Sequence, residues 1–327
     1  MTITIQQAMQ DYLESVSLAR SQNTARTYSN ALAAFAHVLE DHNLSPAKTT
    51  VDALSEDAIA WLAVGLKPYA PTTERLYLTA AAGFYEYLAA ERLANPNLPR
   101  LRMLIRQRSR KQGQRLPQFP RSDIEIIVEY ANNLVLLVTE NESERLRNLR
   151  DRAFLITLAD TGLRVHEACG LRRGDIDWNE AKAVIIGKGD KQAVVRFSAR
   201  SLQALKDYLA GRAALDGASG RPLSSLPLFA RHDRGAGKQV KSITPTTGRN
   251  IVAQRLREAI GSSAEGTITP HSFRHFFVTT VLRASGGNLK LAQELARHQS
   301  IAVTQRYAHL SDDELDEGYW DIFDAEK

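Results

Sequence analysis

In the stretch TPHSFRHFF, Thr269 reads as a helix N-cap and Pro270 as the first helical residue. That start sets His271 and Arg274, three apart, on one face of the same helix. A helix N-terminus offers free N–H groups and a positive dipole end, and arginine adds a two-pronged donor matched to phosphate oxygens. The pair therefore predicts a site for an anion. The plain alternative is that His271 caps the helix and Arg274 pairs with an acid. His271 and His275 also stand at i, i+4, a spacing that metal sites use. No glutamate follows the first histidine and no third ligand is evident, so no metal is expected. Three further stretches carry reactive side chains. TGLRVHEACGL places Arg164 just after a glycine turn, GKG at 187–189 lifts Lys188 on a hairpin, and ARHQSIAVTQRYAHL sets His298 nine residues before Tyr307.

The elements that must position these groups are mainly helical. The chain has 327 residues, enough for two domains. Apolar residues make up 43% and charged residues 24%, with 19 Gly and 11 Pro, which excludes a disordered or collagen-like chain. Residues 1–95 read as helices. One has Asn23 as N-cap and Tyr28, Leu32, Phe35 and Leu39 along one face; another starts at Pro71, with Leu76, Ala80, Phe84, Tyr87 and Leu88 as its apolar stripe. Ser122 and Glu125 have capping-box spacing, and a helix over roughly 144–160 turns Leu146, Leu149, Phe154 and Leu158 inward. AKAVIIGKGDKQAVVRF reads as two strands around a turn, hence a hairpin with Lys188 at its tip. Residues 213–246 read as an irregular connection with at most a short strand around Leu228, and no internal repeat is visible.

The net charge of +5 is unevenly spread. Residues 311–327 hold eight acids and one base, a net of −7, which leaves +12 on residues 1–310 and favours a polyanionic partner. The densest run, RLRMLIRQRSRKQGQR, carries Arg100, Arg102, Arg106, Arg108, Arg110, Lys111 and Arg115 without an acid. The expectation is a DNA-contacting linker over 96–118, since a duplex backbone would neutralise these charges while releasing counterions; a solvated linker is the alternative. A single cysteine, Cys169, excludes a disulfide framework within the chain. No export signal and no run of 18 apolar residues is present, so a cytoplasmic protein is expected.

With Arg164, Lys188, His271, Arg274, His298 and Tyr307 in this order, nearly the whole chain resembles the tyrosine site-specific recombinases of the phage-integrase and Xer type. The resemblance implies a mainly α fold with a small β-hairpin or sheet in the catalytic domain, the two domains forming a C-shaped DNA clamp. A helical core-binding domain would span 1–95, the basic linker 96–118, the catalytic domain 119–310, and an acidic tail 311–327 that docks on a neighbouring subunit. It implies recombination through a covalent 3′-phosphotyrosine, with neither metal nor other cofactor. Arg164 and Arg274 would clamp the nonbridging oxygens of the scissile phosphate, and Tyr307 would attack as nucleophile. His271 would take its proton, Lys188 would protonate the departing 5′ oxygen, and His298 would donate to the phosphate. Glu167 would support the site, while His275 and His309 are assigned to packing. The implied partners are duplex DNA with short inverted half-sites and three further copies of the chain, or related recombinase subunits, with no membrane. No arm-binding domain is expected ahead of the first helix. A catalytically silent DNA-binding protein and a type IB topoisomerase are the competing readings. Two positions depart from the family: His166 where Ser or Gly is usual, and Arg297 where Gly precedes the last histidine.

Overall fold

The computed structural model describes residues 3–110, 121–186, 192–233, 235–237, 239–262 and 266–307. It divides into two compact units, residues 1–114 and 115–327.

The first unit is built from α1 (Ile5–Ala19), α2 (Gln22–Asp41), α3 (Asp57–Gly65), α4 (Pro71–Ala90) and α5 (Leu98–Arg108). Thr4 and Ser21 cap the first two with their hydroxyls, so the N-cap of α2 is Ser21 rather than Asn23, two residues inside. Pro71 opens α4, where its missing N–H costs nothing. Leu32, Phe35, Leu39, Ile59, Leu62, Phe84 and Tyr85 make the core. Leu76 is exposed, and the buried stripe of α4 runs through Leu78, Ala80, Ala81, Phe84, Tyr85 and Leu88, of which Ala80, Phe84 and Leu88 are as expected.

Residues 98–108 are a helix of this unit and not an irregular linker. Asn97, whose side chain accepts from the Arg100 amide at 3.0 Å, caps α5, and Leu101 and Leu104 at i, i+3 are buried beneath it. The basic run is also partly compensated. Arg100 pairs with Glu56 at 3.0 Å and Asp57 at 2.7 Å, Arg102 with Glu86 at 2.9 Å, and Arg110 with the buried Glu74. The missing acids come from α3 and α4, remote in sequence.

The second unit is organised around α7 (Glu142–Thr161), which is buried on nearly every face from Ala153 to Ala159 and so lies at the centre of its core. Around it are α6 (Arg121–Asn133), α8 (Val165–Gly170), α9 (Ala199–Gly211), α10 (Ala213–Gly217), α11 (Pro245–Ile260), α12 (Pro270–Ala284), α13 (Leu289–Ala296) and α14 (Ile301–Gln305). Ser122 and Glu125 lie within α6, where Glu125 pairs with Arg121 and no capping box forms between them. The strands β1 (Ile176–Asp177), β2 (Lys182–Ile186) and β3 (Gln192–Arg196) form an antiparallel sheet in chain order. In the β2–β3 hairpin Lys182 faces Arg196 and Ile186 faces Gln192. Strand alternation turns Ala183, Ile185 and Val195 into the core and leaves Val184, Ile186 and Val194 exposed. Residues 213–246 contain α10 and isolated bridges at Pro227 and Ala230 in place of a strand at Leu228. The fully buried Arg212 holds this connection through the carbonyls of Pro227 (2.6 Å) and Leu228 (3.0 Å), with Asp216 balancing its charge.

Candidate active site

The site begins at the end of α7. Gly162 closes that helix in the left-handed conformation, φ +57°, with its N–H donating to the Leu158 carbonyl. A Cβ there would lie 2.5 Å from the Phe277 ring, so both backbone angle and space require glycine. Two residues on, Arg164 is the N-cap residue of α8. Its guanidinium donates to Glu167 at 2.7 Å and its amide to the other Glu167 oxygen at 2.9 Å. Burial would raise the Glu167 carboxyl, but these bonds and the charges of Arg297 and Arg164 outweigh it and hold the group below the usual carboxylate range.

Thr269 and Pro270 start α12 as the sequence predicts, and the Ser272 hydroxyl accepts from the Thr269 amide at 3.1 Å. His271 therefore does not cap the helix, and Arg274 pairs with no acid among the described residues. Arg274 is buried and donates to the Gly162 carbonyl at 2.6 Å and to the Ala296 carbonyl. Its guanidinium thus joins the α7–α8 turn to the end of α13. Burial first, then the positive neighbours Arg164 and Arg297, push its pKa down to about 10.

Arg297 ends α13 in the left-handed region, and His298 follows with Nδ1 2.8 Å from the buried Thr304 hydroxyl. That bond fixes the ring and leaves Nε2 without a protein partner among the described residues. Tyr307 lies beyond α14 against Val278, Leu282, Ala292 and Ala296, its ring centre 4.9 Å from that of His275 and 6.3 Å from that of His298. His271 and His275 are in edge contact at 4.2 Å. Burial, then the charges of Arg274 and Arg164, lower His271; burial and the surrounding cations and histidines push His275 and His298 down to about 4. Near neutral pH these imidazoles are uncharged, the form in which a histidine accepts a proton. Burial raises the Tyr307 phenol, and Arg274 and Arg306 partly oppose that.

Arg164, His271, Arg274, His298 and Tyr307, spread over 144 positions, thus meet through a short chain of contacts and electrostatic interactions. Lys188, His309 and the tail 311–327 lie outside the described residues, as do Lys111 and Arg115. In the first unit, Arg106 and Arg108 are exposed with no ion-pair partner among the described residues. A groove of about 970 Å³ runs over that unit, lined by Arg20, Arg75, Arg102, Arg106, Tyr12 and Tyr28. Arg20 and Arg75 lie outside the basic run, so charge density along the chain gave no sign of them. Among the described residues no group of three or more His, Cys, Asp or Glu is placed to hold a metal ion. No helix there is long and apolar enough to cross a membrane.

Residues 128–314 match the phage integrase family. The chain belongs to that family, the tyrosine site-specific recombinases. Among its relatives, the tyrosine recombinase XerC of Pelobacter propionicus is 34% identical over 64% of this chain and 61% of that protein. The XerC of Pediococcus pentosaceus is 30% identical over 75% of this chain and 74% of that one. Similar folds occur in the XerH site-specific recombinase bound to difH (TM-score 0.67, 19% identity, 97% of this chain and 84% of that one). The Tn1549 transposon integrase bound to a circular intermediate DNA is comparable (TM-score 0.67, 16% identity, 98% and 100%). Among the described residues the recombinase is mainly helical with one small antiparallel sheet, and its fold is similar to that of these neighbours.

Proposed function

We propose that this recombinase cuts and rejoins duplex DNA through a covalent bond between the Tyr307 phenolic oxygen and a 3′ phosphate. The observation that carries the reading is the pair of bonds by which Arg274 ties the Arg164 turn to the segment bearing His298 and Tyr307. In-line attack by the phenol spreads negative charge over the nonbridging oxygens, and Arg164 and Arg274 stabilise it as it develops. His271, neutral at physiological pH, takes the phenolic proton, and His298 donates from Nε2 to the phosphate. Lys188 supplies the proton to the departing 5′ oxygen, an assignment that rests on the resemblance. Glu167 orients Arg164. The ester retains the energy of the broken phosphodiester, so the 5′ hydroxyl of another strand can reverse the step without ATP.

The partner in this reading is duplex DNA with short inverted half-sites, gripped by the catalytic unit over 119–310 and by the arginine-lined groove of the first unit. Four copies assemble on it, each acidic tail docked on a neighbour, and the complex works at the nucleoid. The test is a DNA substrate nicked beside the cleavage position, which traps the covalent intermediate. Wild type should yield a detergent-resistant protein–DNA species and Tyr307→Phe none. A silent DNA-binding protein would yield none with either. Strand exchange between two marked duplexes separates recombination from relaxation by a single topoisomerase-like copy.

A further inference from the structure

Arg297 occupies a position where several costs coincide. Its backbone is left-handed, φ +58° and ψ +43°, a conformation that favours glycine. Its side chain is only 9% exposed, although it is a guanidinium in a neighbourhood that already holds Arg164 and Arg274. Burying a third cation beside two others is unfavourable unless specific partners repay it. Those partners are present. Nη2 of Arg297 stands 3.5 Å from Glu167 Oε2 and donates to the Gly162 carbonyl at 3.2 Å; Nη1 reaches the Thr161 carbonyl at 3.4 Å. Arg297 thus holds the same α7–α8 turn as Arg274 and the same carboxylate as Arg164, one residue before His298.

We infer that Arg297 is a positioning residue for strand cleavage: from the end of α13 it clamps Glu167 and the Gly162 turn, fixing the Arg164 guanidinium and His298 at one separation. The inference rests on the proposed roles of Arg164, His298 and Tyr307. A glycine at 297 would satisfy the backbone without strain and would leave Glu167 to Arg164 alone. With Arg297 present the carboxylate is shared, one oxygen to each guanidinium. The Arg164 side chain remains 41% exposed and able to reach a phosphate, while the residue that fixes its anchor is buried.

The charged groups facing Glu167 are Arg164 at the start of its own helix, Arg297 from α13 and Arg274 from α12. His166, Arg172 and Asp175 line a cavity with Glu167, the Asp175 carboxylate accepting from the Arg172 amide at 2.7 Å. From the other packed elements, Asp160 of α7 is engaged by Ser198 and Arg200, and Arg249 of α11 faces Cys169. Removing Arg297 therefore takes away one of the two cations, Arg297 and Arg164, that hold the Glu167 carboxyl down.

The experiment compares wild type, Arg297→Gly, Arg297→Lys, Glu167→Gln and the double variant Arg297→Gly/Glu167→Gln on the nicked substrate under single-turnover conditions. DNA affinity is measured separately. Arg297→Gly should bind DNA within about twofold of wild type and stay folded at the assay temperature, because relief of the left-handed backbone offsets part of the lost guanidinium contacts. It should form the covalent complex at least tenfold more slowly, and the acid limb of its pH–rate profile should move to higher pH. Arg297→Lys should recover part of the rate through charge alone. The double variant should be no slower than the slower single variant. If Arg297→Gly cleaves at the wild-type rate with an unmoved profile while Tyr307→Phe is inactive, Arg297 has no positioning role and the cleavage reading stands. If the losses in the double variant multiply, Arg297 acts by a route other than Glu167 and the inference fails. If wild type itself forms no covalent complex, it is the cleavage reading that fails.

Discussion

Gly162→Ala would test the turn on which both arginines depend. The substitution has two separable costs. A left-handed residue with a Cβ is disfavoured by about 1–2 kcal/mol. The new methyl would also fall 2.5 Å from Cδ1 and 2.9 Å from Cγ of Phe277, and forced overpacking of that kind costs about 1–3 kcal/mol. Together they predict a loss of about 2–5 kcal/mol from the second unit, which is about 30-fold to a few thousand-fold in its opening equilibrium. Hydrogen exchange read by mass spectrometry resolves this in the full chain. Peptides from α7 should exchange faster by that factor, whereas peptides from α4, in the other unit, serve as an unchanged control. Phe277→Ala divides the cost, since in that background only the backbone share of about 1–2 kcal/mol should remain for Gly162→Ala. Cleavage should fall beyond the stability effect, because the Gly162 carbonyl anchors Arg274 and Arg297. Unchanged α7 exchange in Gly162→Ala, or an equal cost with and without the Phe277 ring, would refute the reasoning.

Other expectations follow from the charged groups. Arg106→Ala should weaken DNA binding and reduce the slope of log K against log salt by about 1, while Arg100→Ala should change it far less because Glu56 and Asp57 already hold that guanidinium. Glu74→Gln should cost the first unit about 1–3 kcal/mol, read from exchange of α4 and α5 peptides, since the buried carboxylate accepts from Lys67 and from the Arg110 amide and guanidinium. Burial would raise the Glu74 carboxyl and these donors more than offset it. The stability it confers is therefore present above its ordinary value of 4.5 and is lost as pH falls below it. His232, buried with Nε2 2.8 Å from the Tyr208 hydroxyl, is pushed down to about 3 by burial and then by Arg150, Arg212 and Arg147. Its neutral form is the folded form, so stability is full above the unfolded value of about 6.5 and drains as pH falls toward 3. Urea midpoints measured across that range should decline less steeply in His232→Gln.

Local chemistry made much of this chain legible. The start of α12 at Thr269 and Pro270, the β2–β3 hairpin, the buried face of α2 and the extent of α7 all follow from caps, turn composition and apolar spacing, which act over a few residues. The order of Arg164, His271, Arg274, His298 and Tyr307 along the chain was enough to place it in its family. Errors arose where residue types allow two local readings. Asn97 lies beyond the end of α4 at Ala90 and caps the next helix, so the basic run that reads as a linker holds α5. Ser21 and Asn23 are both cap-forming residue types, and in the structure the Ser21 hydroxyl accepts from the Thr24 amide.

Long-range partners could not be read in this way, because electrostatic and hydrogen-bond energies depend on distance in space. The acids that neutralise Arg100 and Arg110 lie more than 30 positions away, on α3 and α4. Arg274 spends its donors on two carbonyls, 112 and 22 positions distant, and on no acid. Arg297 was visible in the sequence only as a bulky residue where glycine is usual. Its left-handed backbone confirms the demand that glycine usually meets, but the direction of its side chain, onto Glu167 and the Gly162 turn, was set by how α13 packs against α12. The sequence alone determined which groups this protein has for handling a phosphate. The tertiary structure decided which of those charges are held by distant acids and which are not, since in the first unit a guanidinium already flanked by carboxylates, such as Arg100, gains less from a phosphate than one such as Arg106, unpaired among the described residues.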